Sequence, residues 1–386
     1  MTKSNQSAGH SIPAAKPLIG AEERAAVDRV LASGKVVQGP EVAAFESEFS
    51  PLVGDRPCVA VNSGTSALHL GMLAVGIGPG DEVIVPSFTF AASANAVRLT
   101  GATPVFADIE PETFGLDPAA VAAVIGPRTA AIMPVHLYGH PAPMLRLREL
   151  ADRHGLKVVE DACQAHGAML GGNPVGALGD VAAFSFYPTK NMTAGEGGMV
   201  VLAEEAAART VRLLRNQGME RQYENEMVGF NVRMTDICAA IGRVQLGKLA
   251  TWTKQRQRNA AVLDQGLAGL DGLVTIPAVT QDAVHVYHQY TVRIAAEAAA
   301  GGGRDAVRGH LTEQGIGTGV YYPIPTHRLP SYATSIDSCG SAGVNVDELP
   351  QTELAAREVL SLPVHPALSD EDLQTVVAAM RQAVVA

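Results

Sequence analysis

The chain has 386 residues, and 29 basic against 39 acidic side chains give it a net charge of −10. That length allows two to three domains of ~150 residues, the 47% of apolar residues supply a sizeable core, and 18% of charged residues are too few for a disordered chain. The acidic balance excludes a general nucleic-acid binder, which carries a basic face, but leaves local anion sites open.

The opening segment MTKSNQSAGHSIPAAKP lacks the apolar centre of a secretory signal, and no stretch approaches the ~20 apolar residues of a membrane span. Cys58, Cys163, Cys238 and Cys339 are far apart with no CxxC pair, so they read as free thiols; Cys58 and Cys163 fall in apolar, strand-like contexts. A cytoplasmic protein with no membrane contact is expected. No HExxH occurs among the 11 histidines, so no metal site is expected.

In chain order, residues 1–15 read as a loose tail. Apolar positions at helical spacing predict helices over 22–31 and 41–49. Strands over 58–61, 82–85, 104–107, 130–135, 156–160, 181–186 and 199–202 then follow. Between the first five lie helices running to Val75 and over 89–99, 117–125 and 143–153, the third with Asp117 as N-cap before Pro118. Continuous apolar strands separated by helices of ~10 residues are the pattern of a largely parallel sheet covered on both faces. Ligands in such sheets bind at the carboxyl ends of the strands.

A long helical region over 235–263 holds the expected domain boundary, near 255. Beyond it, Val284, Val286, His288, Tyr290, Val292 and Ile294 alternate, predicting one half-buried strand over 284–294. Helices are expected over 304–314, 351–360 and 369–384, the last capped by Ser369. The organisation is therefore a tail over 1–15, a large α/β domain over 16–255 with a mostly parallel sheet between helices, and a smaller α/β domain over 256–386.

Several motif readings fall away. Gly76-Ile-Gly78-Pro-Gly80 ends a helix and precedes a strand, whereas a dinucleotide loop must leave a strand and open a helix, so it reads as a C-cap and turn. Gly34-Lys35 and Gly247-Lys248 lack the rest of a phosphate-binding P-loop, and no GxSxG occurs.

Four elements at strand ends or helix entries remain. Asn62-Ser63-Gly64-Thr65-Ser66 joins a strand to a helix; it is either a Ser/Thr cap or an anion cradle, where glycine admits close approach to backbone N–H groups. Val158-Val159-Glu160-Asp161 ends a buried strand in two carboxylates, either caps or partners for a buried cation. Phe184-Ser185-Phe186-Tyr187-Pro188-Thr189-Lys190 sets a lysine just past a strand, where desolvation and nearby cations turn an amine into a nucleophile. Gly229-Phe230-Asn231-Val232-Arg233 precedes the long helix, whose cap is Thr235 or Asp236. A phosphate cradle, a strand-end carboxylate and a lysine are together what pyridoxal phosphate requires.

The stretches NSGTSAL, GPGDEVIVPSFTFAASANAV, VVEDACQAHGA, FSFYPTKNMTAGEGGM, GFNVRMTDICAAIGRVQL and LSLPVHPALSDEDL occur in that order between about Lys16 and the C-terminus. Together they resemble the DegT/StrS-type sugar aminotransferases of the fold type I pyridoxal-phosphate superfamily. The resemblance implies that fold and pyridoxal 5'-phosphate as cofactor. Lys190 falls on the Schiff-base lysine and Asp161 on the partner of the pyridine nitrogen. Gln164 falls near the ring hydroxyl, and Gly64, Thr65 and Ser185 on phosphate contacts. Phe90 falls on the aromatic that stacks on the ring. Asn231 matches an asparagine that reaches the neighbouring subunit's phosphate, implying a homodimer with shared active sites. His327, in the PIPTH turn, falls on a substrate-facing position.

In the family's sugar 3-dehydratases a histidine replaces the Schiff-base lysine, so Lys190 favours transamination. Cys163 stands where many relatives have Ala or Ser, and the small polar segment Thr334–Gly343 does not align. The implied reaction moves an amino group from L-glutamate to a keto sugar, a nucleotide-linked 3- or 4-keto-deoxyhexose, through pyridoxamine phosphate. One alternative acceptor is a keto-cyclitol of the scyllo-inosose type. A non-catalytic, cofactor-binding regulator is the alternative of another class, and the intact Lys190, Asp161 and Ser185 argue against it. The loop Gln217–Glu226, with Arg221, reads either as a diphosphate contact or as a solvated loop.

Overall fold

Apolar runs too short for a helix build the centre of the molecule. In the computed structural model, which describes residues 11–333 and 349–386, seven strands form the main sheet. Their order is Cys58–Val61, Gly198–Leu202, Val181–Ser185, Lys157–Asp161, Thr129–Ile132, Glu82–Pro86 and Thr103–Ala107. Gly198–Leu202 is antiparallel to both its neighbours; the other pairings are parallel. Successive side chains of a strand point to opposite faces. Val59 and Val61 accordingly enter one core with Leu68 and Leu70, while Cys58 and Ala60 enter another with Phe45, Phe49 and Phe184. Burial on both faces is why these strands read as unbroken apolar runs.

The helix Gly64–Ala74 leaves the first strand with Ser63 as N-cap, its Oγ accepting from Ser66 N–H at 3.1 Å. The Gly76–Gly80 segment is a turn, with φ of +87° at Gly76 and +95° at Gly80. Thr235 caps the 32-residue helix Asp236–Leu267 by accepting from Cys238 N–H. This helix gives Ala239 and Leu249 to the main core, then Ala260, Leu263 and Leu267 to a second one, so one unbroken helix carries the chain from the first to the second. The second core lies on a three-stranded antiparallel sheet of Val274–Thr275, Tyr290–Ile294 and Val359–Leu362. Helices Gly303–Glu313 and Asp370–Val385 cover it through Val307, Leu311, Leu373, Val376 and Met380.

Four local expectations change. The tail is not loose throughout: Ile12 is buried in the second core, and its backbone bonds Gly315 and Gly317. Residues 1–10 and Thr334–Gly343, with Cys339, lie outside the described residues. The strand expected over 284–294 is interrupted, because Val286 N–H donates to Gly139 and Gln289 N–H to Tyr138, with Tyr287 at φ +45° between them. The backbone there pairs with a loop instead of a sheet. The helix expected to reach residue 360 stops at Glu358, since Val359–Leu362 pairs with Tyr290–Arg293. A helix over Glu205–Arg215, unnoticed in the sequence, buries Ala208, Val211 and Leu214. Among the described residues no helix is long and apolar enough to cross a membrane.

Glu160, fully buried, ties the sheet to a loop. It accepts from the N–H groups of Gly176 (2.9 Å), Leu178 (2.9 Å) and Gly179 (2.6 Å) and lies 3.1 Å from His136 Nε2. His136 Nδ1 accepts from Ala142 N–H at 3.0 Å, so Nε2 carries the proton that Glu160 receives. Burial pushes the Glu160 carboxyl up, but His136 and the backbone donors outweigh it and hold it below the usual carboxylate range. A carboxyl lowered on folding contributes stability above its unfolded value and loses it as the pH falls through the folded one. The Glu160 contribution should therefore survive acidification through the ordinary glutamate value of ~4.3 and vanish only below it. Glu160→Ala should cost about 3–5 kcal/mol, seen as a lower denaturant midpoint, because the removed carboxylate leaves buried donors unpaired.

Candidate active site

The carboxyl ends of four mutually parallel strands open on one cavity of about 740 Å³. After Val61 come Ser63, Gly64 and Thr65; after Pro86 come Thr89 and Phe90. Asp161 ends the third strand and is followed by Cys163 and Gln164, and the fourth supplies Ser185, Tyr187 and Lys190. His288, Gln289, Tyr321 and Tyr322 close the cavity from the C-terminal part of the chain. Gly64, Thr65, Phe90, Asp161, Gln164, Ser185 and Lys190 are thus brought together.

Gly64 begins the helix that points its free N–H groups at this space. A Cβ at that position would lie 2.7 Å from Ser185 Cβ and 3.0 Å from Cys163 Sγ, so a larger residue would push apart the two strand ends that meet there. Beside it, among the described residues, the Ser185 hydroxyl accepts only a long 3.4 Å bond from Tyr187 N–H.

Lys190 is held by its backbone, whose N–H donates to Tyr187 O at 2.9 Å. The next residue clamps the loop, Asn191 Nδ2 donating to Val286 O at 2.9 Å, and Thr193 Oγ1 donates to Phe186 O at 2.8 Å. Among the described residues the Lys190 amine has no hydrogen-bond or ion-pair partner, and it faces the cavity. Burial lowers its pKa, against smaller opposing pulls from Cys163 and Asp161. Asp161 is buried and oriented: Oδ2 accepts from Ser93 Oγ at 2.7 Å and Oδ1 from Cys163 N–H at 3.2 Å. Burial and Asp161 push the Cys163 thiol well up, so it stays protonated. His166, pushed down to about 3 by burial and Lys190, and His288, lowered by burial, Lys190 and Arg256, both stay neutral.

Gln164 accepts from Tyr138 N–H through Oε1 at 2.8 Å and donates through Nε2 to the Tyr322 hydroxyl at 3.1 Å. Phe90 is 59% exposed, its ring 6.0 Å from that of Tyr322 at a 32° tilt, leaving a face open to the cavity. Two residues predicted from the sequence do not line this space. Asn231 is exposed elsewhere on the surface, beside Asn216. His327 is buried, with Nδ1 2.6 Å from Ser87 Oγ and Nε2 3.2 Å from Glu353, so it joins segments of the chain and does not face the cavity. Arg221 is exposed in the hairpin of Met219–Arg221 with Glu224–Asn225, also outside the cavity.

Sequence reading missed Ser93, which holds Asp161, and the wall formed by His288, Gln289, Tyr321 and Tyr322. The adjacent tyrosines before PIPTH were the available signal for the wall. Ser93 sits in a helix after Phe90 with nothing to distinguish it from a packing serine.

These residues fit the cofactor that the sequence resemblance implies. An anion-ready helix end cleared by Gly64, an uncommitted amine and an oriented carboxylate share one cavity. In cofactor-free protein, competitive labelling with an amine reagent should show Lys190 reacting with a pH midpoint below the ordinary lysine value of ~10.4. A midpoint at or above that value would contradict the burial effect.

The family model of the DegT/DnrJ/EryC1/StrS aminotransferase family matches residues 17–381. A curated relative, dTDP-3-amino-3,4,6-trideoxy-alpha-D-glucose transaminase of Streptomyces venezuelae, is 46% identical over 96% of this chain and 94% of its own. The crystal structure of S. venezuelae DesV in complex with a ketimine intermediate superposes with a TM-score of 0.87, at 46% identity, over 94% of each chain. The putative sugar aminotransferase Spr1654 of Streptococcus pneumoniae, in its PLP-form, gives a TM-score of 0.90 at 27% identity, over 97% of this chain and 99% of that one. With the family model spanning residues 17–381, a relative 46% identical over 96% of the chain, and Lys190 and Asp161 lining one cavity at the carboxyl edge of a mostly parallel sheet, this chain belongs to the DegT/DnrJ/EryC1/StrS aminotransferase family.

Proposed function

We propose that the protein uses pyridoxal 5'-phosphate to move an amino group from L-glutamate to the carbonyl of a nucleotide-linked 3- or 4-keto-deoxyhexose. The observation that carries this reading is the uncommitted, partly buried Lys190 amine in the same cavity as the oriented Asp161 carboxylate. Family membership and the relatives' names support the reaction class; dTDP and 3-amino are properties of the named relative.

In this reading the N-terminus of helix Gly64–Ala74, with the hydroxyls of Thr65 and Ser185, holds the cofactor's phosphate without any net positive charge. Phe90 covers the ring face, and Asp161 pairs with the ring nitrogen. Pyridoxal phosphate supplies the electron sink for breaking the donor's Cα–H bond. Lys190 does the proton work: its amine, favoured in the neutral form by burial, accepts the proton at Nζ and returns it. The neutral state of His166 and His288 keeps further positive charge away from that amine.

Asn231, exposed and outside its own chain's cavity, is assigned in this reading to the cofactor phosphate of a second copy, making the protein a homodimer with shared sites. The free thiols at Cys58, Cys163 and Cys238 suit a reducing compartment, and we place the enzyme in the cytoplasm.

The test combines uptake and turnover. Wild-type protein should bind pyridoxal phosphate, and borohydride reduction should fix the cofactor's mass on the peptide containing Lys190. Glutamate with nucleotide-linked 3-keto and 4-keto sugars should give amino sugar, and Lys190→Ala should lose at least ~10³-fold in rate, the upper range of a lost acid–base group. Turnover only with scyllo-inosose would move the acceptor to a cyclitol. Cofactor binding with no conversion by any amino donor would leave a non-catalytic binder.

A further inference from the structure

Tyr322 comes from the C-terminal part of the chain yet walls a cavity built mainly by the large sheet. Its position is set by hydrogen bonds on both sides. Thr326 N–H donates to Ser87 O at 2.9 Å, Thr326 Oγ1 to Thr89 O at 3.1 Å, and His327 N–H to Ser87 Oγ at 3.1 Å. The Tyr138 hydroxyl donates to Tyr321 O. The Tyr322 ring is thereby lodged against Phe88 at 6.3 Å and Phe90 at 6.0 Å, its hydroxyl directed at Gln164.

The hydrogen-bond inventory of Gln164 makes this contact directional. Its Oε1 accepts from Tyr138 N–H, which settles which end of the amide is the carbonyl, so the NH₂ end must face Tyr322. One amide proton goes to the Tyr322 oxygen and the second remains. The Tyr322 oxygen is an acceptor in that bond, so its own proton is not used there. Burial pushes the Tyr322 hydroxyl well above its usual value, opposed by Gln164 and reinforced by Asp161, Tyr321 and Cys163, so it stays protonated at neutral pH. Lys190, Asp161 and Glu196 are the charged groups that line the same space, together with Cys163, Tyr187 and the neutral His288.

We propose that Tyr322 is a positioning residue that acts through Gln164, fixing its amide so that the second N–H meets the hydroxyl edge of the bound cofactor ring. This rests on the pyridoxal phosphate reading. It assigns to the C-terminal segment a role in how the cofactor is held, carried by one side chain.

A double-mutant cycle tests it with two readouts besides turnover: the dissociation constant for pyridoxal phosphate, and the pH midpoint of the bound cofactor's visible absorbance. Tyr322→Phe keeps the aromatic wall and removes only the hydroxyl, whose oxygen is the acceptor for Gln164. It should weaken binding by about 3–10-fold, the range of one net hydrogen bond, and shift the midpoint. Gln164→Ala should give at least the same changes. In the Gln164→Ala background, Tyr322→Phe should add nothing to either readout. Equal effects of Tyr322→Phe with and without Gln164 would overturn the proposal, as would wild-type values in Gln164→Ala, a variant that leaves the tyrosine wall intact. Failure of the underlying reading is distinct: wild-type protein would then take up no cofactor and yield no reduced adduct on Lys190.

Discussion

The parallel pairing of Lys157–Asp161 with Val181–Ser185 is the constraint on which the rest of the site depends. Its register sets Val159 against Val181, Glu160 against Ala182 and Asp161 against Ala183. Because side chains alternate across a strand, a slip of one residue would turn Asp161 into the core and Glu160 towards the cavity. Two carboxylates prevent it. Glu160 gathers the N–H groups of Gly176, Leu178 and Gly179, in the turn that feeds the next strand. Asp180, at the start of that strand, accepts from Val158 N–H at 2.9 Å and pairs with Arg148 and Lys157. The bonds that fix this register thus decide which side chain faces the cavity.

The site itself is built from contrasts in satisfaction. A buried polar group is costly unless it is hydrogen-bonded, and around the cavity most are: Asp161 by Ser93 and Cys163, Gln164 by Tyr138 and Tyr322, and the loop after Lys190 by Asn191 and Thr193. The Lys190 amine is not, and neither are the His166 ring nitrogens and His288 Nδ1, but the amine sits on a backbone that is tied down. A rigid support under an uncommitted amine is the arrangement a covalent site needs, since the loop then loses little freedom when the amine engages a ligand. The two neutral histidines nearby reinforce it by leaving the amine without a neighbouring imidazolium.

Much of the large sheet was legible in the sequence because strands buried on both faces leave unbroken apolar runs, as Val83, Ile84 and Val85 do. The strand-end rule then located Gly64, Asp161, Ser185 and Lys190 without any knowledge of side-chain contacts. The second core was read less well. The alternation marked buried positions from Val286 to Ile294, though Val284 is exposed; alternation reports which face is buried and says nothing about the hydrogen-bond partner. Docking of residues 286–289 on Gly139 and Tyr138 interrupts the strand. His327 shows the same limit: its motif position was visible, but its engagement by Ser87 and Glu353 was not.

The chain alone carries the chemistry of the large sheet: the apolar runs that become its strands, and the amine, carboxylate and hydroxyls that sit at or just after their ends. Local order suffices there, because a strand's last residues and the turn after it are contiguous in the chain. Tertiary packing alone settles how distant segments share the site. It set Ser93 against Asp161, laid Tyr322 across Gln164 and turned His327 inward, all through side-chain contacts between segments more than sixty residues apart. Such contacts leave no periodicity in the chain, because each is one hydrogen bond whose partner is chosen by packing.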